Sequence, residues 1–166
     1  MNFREFTTKT GKKIFLGKSA EQNEILMKQY MLKENIILHT EKPGSPFAVI
    51  LDLNPLKEDI KEAATFCALK SKDWRDNQKD VIINIFSGKD VYKDKNMPAG
   101  TFGVKKSQKL RIKKEEILKL KDRIEILEKQ KESFLNDKKQ ENKKENVLFK
   151  IKRIFNKLST NRINKK

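Results

Sequence analysis

The sequence contains one cysteine, one histidine and one tryptophan among 166 residues. A single cysteine, Cys67, excludes an intrachain disulfide, and one cysteine with one histidine leaves zinc without its usual set of ligands. No apolar run approaches the roughly 20 residues that span a bilayer, and residues 1–10 lack a signal-peptide hydrophobic stretch. We therefore expect a cytoplasmic protein without cofactor, metal site or integral membrane association, in which Cys67 is a packing residue.

Acidic residues are outnumbered, with 39 Lys+Arg against 23 Asp+Glu and a net charge of +16. Residues 1–104 carry 17 basic and 14 acidic side chains, whereas residues 105–166 carry 22 and 9. Lysines that replace counterions on phosphate give salt-dependent affinity, so this balance favours an anionic partner, either nucleic acid or a membrane surface. An AT-rich genome would also enrich lysine over arginine, but it explains the excess of lysine over glutamate less well.

Short β-like runs alternate with helical ones, which predicts an α+β fold: a small mixed sheet with two packed helices, followed by a C-terminal basic helical, short coiled-coil-like extension. The predicted helices cover 20–31 and 56–72. The predicted strands are 3–7, 13–16, 36–39, 47–51, 80–86 and 100–105, with 107–112 as an extension of the last strand.

The chain divides by composition into a domain at 1–105 and an extension of four parts. These parts are an extended last strand with an amphipathic heptad helix (106–135), a polar linker (136–146), a basic amphipathic helix (147–158) and a disordered tail (159–166). The apolar stripe of 113–135 has to be buried from water, so this helix dimerises, folds back on the domain or pairs with the last helix. The last helix packs on its neighbour, binds RNA or lies on a membrane.

Two turns are built to present polar groups. Residues 39–46 read His-Thr-Glu-Lys-Pro-Gly-Ser-Pro between two β-like runs, and the prolines and glycine restrict this loop to a few conformations. Residues 17–23 read Gly-Lys-Ser-Ala-Glu-Gln-Asn where a helix begins, which offers free N–H groups and a positive dipole end to a phosphate. Ordinary turn formation and first-turn capping are the structural alternatives for both.

These turns carry a family resemblance. Residues 11–23 resemble the stretch G-x-x-I-x-V-G-R-N-A-x-Q-N of the NFACT RNA-binding domain, and residues 39–45 resemble its loop H-A-x-x-x-P-G-S-H. Residues 62–75 are similar to its helix E-A-A-x-x-A-x-x-S-K-x-R. Residues 88–91 and 97–100 resemble its closing segment V-K-x-x-x-K-P-G.

The resemblance covers about residues 6–104 and departs from the family at several positions. Lys18 replaces its arginine, Ser19 its asparagine and Pro46 its second histidine. NFACT proteins act on ribosomes and tRNA in quality control of stalled nascent chains, so the resemblance implies an RNA-binding module. This module is expected to stand alone here. The N-terminal domain and coiled-coil arm of NFACT proteins have no place here in the usual order.

The predicted RNA-binding residues are polar or cationic groups of these turns and of the second helix's end: Lys18, Ser19, Gln22, Asn23, His39, Lys42, Gly44, Ser45, Lys70, Lys72, Arg75 and Lys89. Trp74 and Tyr92 are candidates for base stacking. The alternative for Trp74 is that it packs over the hydrophobic core.

We expect a non-catalytic RNA-binding protein, associated with tRNA, ribosomal RNA or the ribosome and linked to ribosome-associated quality control. No phosphate-binding glycine loop, dinucleotide fingerprint or paired nucleophile and base is present, so no residue is assigned as catalytic. The alternatives are an RNA-modifying enzyme that uses His39 as general acid or base, and a coiled-coil adaptor. In the second case residues 113–135 bind a second copy or a helical partner.

Overall fold

The computed structural model describes the backbone of residues 2–163 and the side chains of residues 2–152. Eight strands and four helices are found in this part of the chain. Their bounds are β1 (Arg4–Thr7), β2 (Lys13–Leu16), α1 (Ala20–Tyr30), β3 (Ile36–Thr40), β4 (Ala48–Ile50), α2 (Lys57–Leu69), α3 (Lys72–Asn77), β5 (Val81–Ser87), β6 (Val91–Tyr92), β7 (Gly103–Val104), β8 (Gln108–Ile112) and α4 (Lys114–Ile163).

Six of the strands form one sheet in the order β1-β2-β4-β3-β5-β8. Every pairing in this sheet is antiparallel. In the register of β3 with β5, Ile37 lies opposite Phe86 and His39 lies opposite Asn84. The predicted α+β class is therefore confirmed.

The two long helices of the domain cover opposite faces of the sheet. Leu26 and Met27 of α1 are fully buried in a cluster with Ile37 and Val49, which lie opposite each other on β3 and β4. Residues alternate between faces along a strand, so Leu38 points to the other face, where its carbonyl oxygen lies 3.8 Å from Cys67 Sγ of α2. Cys67 is fully buried, as predicted for a packing residue.

The second helix is interrupted where the sequence predicted a continuous helix to residue 72. α2 ends at Leu69, and Ser71 then caps a separate short helix, α3, by accepting a hydrogen bond from the Trp74 N–H at 3.0 Å. Serine is among the best N-capping residues, so it begins a new helix here. Trp74 is only 5% exposed, which makes it a core residue and not a stacking platform.

The predicted strand 100–105 with its extension to 112 is two separate strands. β7 pairs with β6 in a two-stranded sheet, whereas β8 pairs with β5 at the edge of the large sheet. Both segments are β-like, but their partners are far apart in sequence, and local pattern cannot show which strand each one joins.

The helical extension also differs from the prediction. The structure has one helix, α4, across the predicted heptad helix, the linker 136–146 and the basic helix 147–158. Residues 136–146 contain no proline or glycine, and seven of the eleven are lysine, glutamate or glutamine, which favour helix. The predicted disordered tail 159–166 is helical to Ile163, and residues 164–166 lie outside the described residues.

Two compact units divide the chain, residues 1–121 and 122–166. The first extends beyond the predicted domain end at 105, since β8 completes its sheet and Ile112, Ile117 and Leu120 are buried. Ile117 and Leu120 lie in the apolar stripe predicted for the heptad helix, but they belong to the core of the first unit. In the second unit, Leu127 and Phe134 of α4 are more than half exposed.

Candidate nucleic-acid interface

A groove of about 700 Å³ opens in the first unit, where several turns meet beside the sheet. Its walls are the turn before α1, the β3–β4 loop, the α2–α3 corner and the segment that leads into β7. We call it the basic groove, because its lining includes five cationic side chains and one acidic side chain, namely Arg4, Lys18, Lys70, Lys72, Arg75 and Glu41.

The floor of the basic groove is aromatic and polar. The ring of His39 stacks on that of Phe47, with centroids 4.4 Å apart, and Phe47 meets Phe102 edge to face at 5.8 Å. Asn84 and Phe86 of β5 complete the floor. Since Asn84 lies opposite His39 and both line the groove, this face of the sheet offers a flat ring beside an amide.

His39 is held in place and kept uncharged. Its Nε2–H donates a hydrogen bond to the carbonyl oxygen of Ser45 at 3.2 Å. Burial lowers the pKa of His39 below its ordinary value, although hydrogen bonds to backbone groups of Thr40 and Ser45 oppose this shift. The imidazole is therefore neutral at physiological pH, and its partner is a backbone carbonyl and not the hydroxyl of Ser45.

The turn before α1 forms one wall of the groove, and its own side chains fix its shape. Ser19 is the N-cap of α1 and accepts a hydrogen bond from the Gln22 N–H at 3.2 Å. Gln22 in turn accepts one from the Lys18 N–H at 3.0 Å through its Oε1. This reciprocal capping uses part of the side chain of Gln22, while the Lys18 side chain is left exposed at the rim.

Asn23 joins this wall to the β3–β4 loop. Its Oδ1 accepts a hydrogen bond from the Phe47 N–H at 3.2 Å, and its Nδ2 donates to the carbonyl oxygen of Ser45 at 3.5 Å. A Cβ atom on Gly17 would lie 2.1 Å from Asn23 Oδ1, so only glycine permits this approach. Asn23 therefore positions the groove in addition to lining it.

The β3–β4 loop is tied down on its other side as well. The Thr40 hydroxyl donates to the carbonyl oxygen of Lys42 at 2.6 Å and hydrogen-bonds with the Ser45 hydroxyl. Lys42 Nζ lies 2.7 Å from a carboxylate oxygen of Asp73, which is buried. Gly44 has a φ of +91°, in the left-handed region that favours glycine. This loop is thus held in one conformation with Lys42 used as an ion-pair partner.

Of the cations that line the groove, Lys18, Lys70, Lys72 and Arg75 are exposed, whereas Arg4 is partly buried and donates to the Gly17 carbonyl oxygen at 3.4 Å. Lys18 and Lys72 form no ion pair with another described residue, and Lys70 lies over the Phe66 ring at 5.6 Å from its centroid. Arg75 pairs with Asp76, its chain neighbour, through Nε at 3.0 Å. Exposed lysines without a carboxylate partner are suited to phosphate oxygens.

A partly buried ion pair fixes the wall that leads into β7. Lys93 Nζ lies 2.8 Å from Glu24 Oε2 of α1 and donates to the carbonyl oxygens of Pro98 and Thr101 at 2.8 and 2.9 Å. Glu24 also accepts a hydrogen bond from the Gly100 N–H at 2.8 Å. The hydrogen bond from Lys93 is the main reason that the pKa of Glu24 is lowered to about 2. Glu24 and Lys93 thus hold this wall against α1.

The Glu24 pair predicts acid sensitivity. The pKa of Glu24 is about 2 in the folded protein and about 4.5 in the unfolded chain. Because the pKa of Glu24 is lower in the folded protein, its ionisation stabilises the fold at pH values above the pKa of the unfolded chain. This stabilisation is lost as the pH falls from about 5 towards 2. At pH 6 we expect Glu24→Gln to unfold at a lower urea concentration than the parent, with a free energy of unfolding smaller by about 1–2 kcal/mol. At pH 2.5 this difference in free energy should shrink.

Urea titrations followed by circular dichroism at both pH values measure this difference. Glu21→Gln is the matched control, because Glu21 is exposed on the same helix and is not a partner of Lys93. We expect the free energy of unfolding of Glu21→Gln to differ little from that of the parent at both pH values. An equal destabilisation by Glu24→Gln at pH 6 and pH 2.5 would contradict the role of the Glu24 charge.

Most of the predicted binding residues meet in the basic groove. Nine of the twelve line it: Lys18, Ser19, Asn23, His39, Gly44, Ser45, Lys70, Lys72 and Arg75. The other three do not, since Gln22 caps the turn, Lys42 pairs with Asp73 and Lys89 pairs with Glu34 away from the groove.

Several residues that line the groove were not predicted from the sequence. Arg4, Phe102 and Asn84 come from strands or loops distant in sequence from the two turns. A usable signal existed only for Asn84, which is a polar residue in an otherwise apolar run, Val81 to Phe86. Alternation along a half-exposed strand is the more ordinary explanation for such a residue.

Other kinds of site find no support in the described part of the chain. Among its side chains, no three His, Cys, Asp or Glu residues lie close enough together to hold a metal ion. No helix within residues 2–163 is long and apolar enough to cross a membrane.

A cationic groove with an aromatic floor, beside the antiparallel sheet of an α+β domain, has the chemistry that suits nucleic acid. The family model described as the NFACT protein RNA binding domain matches residues 2–106. This chain belongs to that family, and the resemblance drawn from its motifs is confirmed.

Two relatives give the extent of the likeness. The chain is 33% identical over 73 residues to a protein described as the archaeal Rqc2 homolog aRqcH of Methanocaldococcus jannaschii, a match that covers 43% of this chain and 11% of that protein. It also shares its fold with the C-terminal part of the fibronectin/fibrinogen-binding protein of Streptococcus suis. That likeness has a TM-score of 0.62 and 23% identity, and it covers 68% of this chain and 45% of the other. The chain thus spans about a tenth of its archaeal relative.

Proposed function

We propose that this protein binds RNA in the basic groove and that it catalyses no reaction on the RNA. The observation that carries the proposal is the convergence of exposed lysines from two separate elements on one groove, Lys18 before α1 and Lys70 and Lys72 at the α2–α3 corner. Cations that line one groove from two separate elements can contact several phosphates of a strand that enters it. Membership of a family described as RNA-binding supports this proposal.

The surroundings of His39 favour binding over catalysis. A general base that activates a hydroxyl must lie within hydrogen-bond reach of it, and His39 Nε2 is engaged by the carbonyl oxygen of Ser45. The Ser45 hydroxyl is engaged by Thr40. The two residues are therefore not arranged as a base and a nucleophile, and His39 acts as a ring surface on the groove floor.

The proposed RNA is tRNA or ribosomal RNA, and the proposed setting is ribosome-associated quality control in the cytoplasm. This part of the proposal rests on the relative described as an Rqc2 homolog, of which the chain spans about a tenth. The second unit contributes many lysines, and we propose that its helix raises RNA affinity through charge. Whether residues 113–135 bind a second copy or another helix stays a prediction.

Fluorescence anisotropy with labelled tRNA and with a single-stranded 12-nucleotide RNA, from 50 to 300 mM salt, tests the proposal. We expect log K to fall linearly with log salt for both RNAs. Dextran sulfate serves as a competitor that carries charge without bases, and pelleting with ribosomes tests the proposed setting. Absence of binding at 50 mM salt, or full displacement by stoichiometric dextran sulfate, would contradict RNA binding. Modified nucleosides in the recovered RNA would contradict the non-catalytic part.

A further inference from the structure

The carboxamide oxygen of Asn84 is an anomaly on the floor of the basic groove. Oδ1 is buried, yet it accepts no hydrogen bond, and it is the one such side-chain atom among the described residues. A buried acceptor without a donor costs about 1–3 kcal/mol, so such groups in native proteins call for an explanation. Burial of the whole residue in the core does not supply one, because Asn84 is only partly buried and lines the groove, although Oδ1 itself is shielded from solvent.

The residues beside Asn84 indicate which kind of ligand could bind to its oxygen. His39 lies opposite it on β3, and Lys109 lies opposite it on β8. The Lys109 ammonium pairs with Glu41. His39 offers a neutral ring, held by Ser45 and stacked on Phe47. The carboxamide oxygen offers phosphate neither a hydrogen-bond donor nor a positive charge. Beside an uncharged aromatic ring it suits a flat group with an N–H donor on its edge.

We infer that one unpaired nucleobase enters the basic groove, lies against His39 and donates a hydrogen bond from its edge to Asn84 Oδ1. Each of the four bases carries such a donor, either an exocyclic amino group or a ring N–H. The χ2 torsion of asparagine is broad, so the amide turns towards a ligand at little cost. The inference rests on the proposed function, since the cations at the rim hold the phosphates on either side of the inserted base.

Duplex RNA cannot present a base in this way, because its base edges are paired and its bases stacked. Insertion therefore predicts a preference for single-stranded RNA that depends on Asn84 and not on the number of phosphates contacted. A base contact releases no counterions, so its removal weakens binding without changing the salt slope.

The test is Asn84→Leu in the full chain, titrated with a single-stranded 12-nucleotide RNA, the same sequence as a duplex, and a 12-mer of abasic ribose phosphates. We expect about tenfold weaker binding of the single strand, with unchanged duplex binding and an unchanged salt slope. The parent should bind the abasic strand about tenfold more weakly than the normal strand, and Asn84→Leu should bind both strands equally.

Stability separates this role from a structural one. Leucine removes the unsatisfied oxygen at similar volume, so the melting temperature of Asn84→Leu should equal or exceed that of the parent. Asn54→Leu is the matched control, because Asn54 is exposed and lies outside the groove. If Asn84→Leu fails to fold, Asn84→Ala with the same three RNAs replaces it.

Two results overturn the inference, and they are distinguishable from failure of the proposed function. If the parent binds single-stranded RNA and Asn84→Leu binds it equally well, the base pocket is excluded and the groove binds phosphate alone. Equal weakening for single strand and duplex also excludes it. If the parent binds no RNA at all, the proposed function itself is wrong.

Discussion

Charge reversal of the three exposed groove lysines, as Lys18→Glu, Lys70→Glu and Lys72→Glu together, should weaken RNA binding at least fiftyfold at 100 mM salt. Each lysine that neutralises a phosphate adds about 0.9 to the salt slope on duplex and about 0.7 on single strands. The salt slope should therefore fall by about 2 in the triple variant. Anisotropy titrations across salt concentration measure both quantities.

A matched variant separates the groove from total charge. Lys13→Glu, Lys33→Glu and Lys57→Glu change the net charge by the same amount, and none of these residues lines the groove. We expect this control to bind RNA within about fivefold of the parent, because only longer-range attraction is reduced. Equal losses for the two triple variants would mean that RNA binds through diffuse charge and that the basic groove is not the site.

The largest loss of stability is expected from Gly88→Ala. Gly88 is packed between the end of α1 and the end of β5, where its N–H donates to the Asn35 carbonyl at 3.0 Å and its carbonyl accepts from the Leu32 N–H at 2.8 Å. An added Cβ would lie 2.1 Å from the Tyr30 carbonyl oxygen and 2.7 Å from that of Lys33. Both neighbours are backbone atoms that cannot rotate away. We expect a loss of more than about 3 kcal/mol.

Gly11→Ala is the control for this prediction. Gly11 has a φ of +89° but nothing within 4 Å of an added Cβ, so its cost is backbone strain of about 1 kcal/mol. In thermal melts followed by circular dichroism, the melting temperature of Gly88→Ala should lie far below that of Gly11→Ala. A similar small shift for both variants would show that Gly88 is not confined as the structure describes.

Local chemistry in the sequence predicted the parts of the groove that are formed locally. Ser19 is a good N-cap, so the start of α1 follows from one residue and its neighbours. The β3–β4 loop follows from the Pro-Gly-Ser sequence between two apolar runs. Six of the nine predicted residues that line the groove lie in these two turns, although their contacts with RNA remain a proposal.

What the sequence did not predict depends on contacts between distant segments. Asn84 belongs to the floor because β5 pairs with β3, and the strand 81–87 alone does not reveal its neighbour. Lys93 fixes a wall because it reaches Glu24 across 69 positions. The helix through 136–146 was not predicted for another reason. Its polar residues were interpreted as a linker, although seven of the eleven are lysine, glutamate or glutamine, which have good helix propensity.

The most direct test of the account is a map of the RNA-binding surface by amide chemical shifts of the ¹⁵N-labelled full chain, titrated with the single-stranded 12-mer. We predict the largest shifts in 17–23, 39–47, 70–75 and at Asn84, with small shifts on the opposite face of the first unit. Shifts confined to residues 122–166, with the groove unaffected, would contradict the account. RNA would then be bound by the basic helix, and the basic groove would have another ligand.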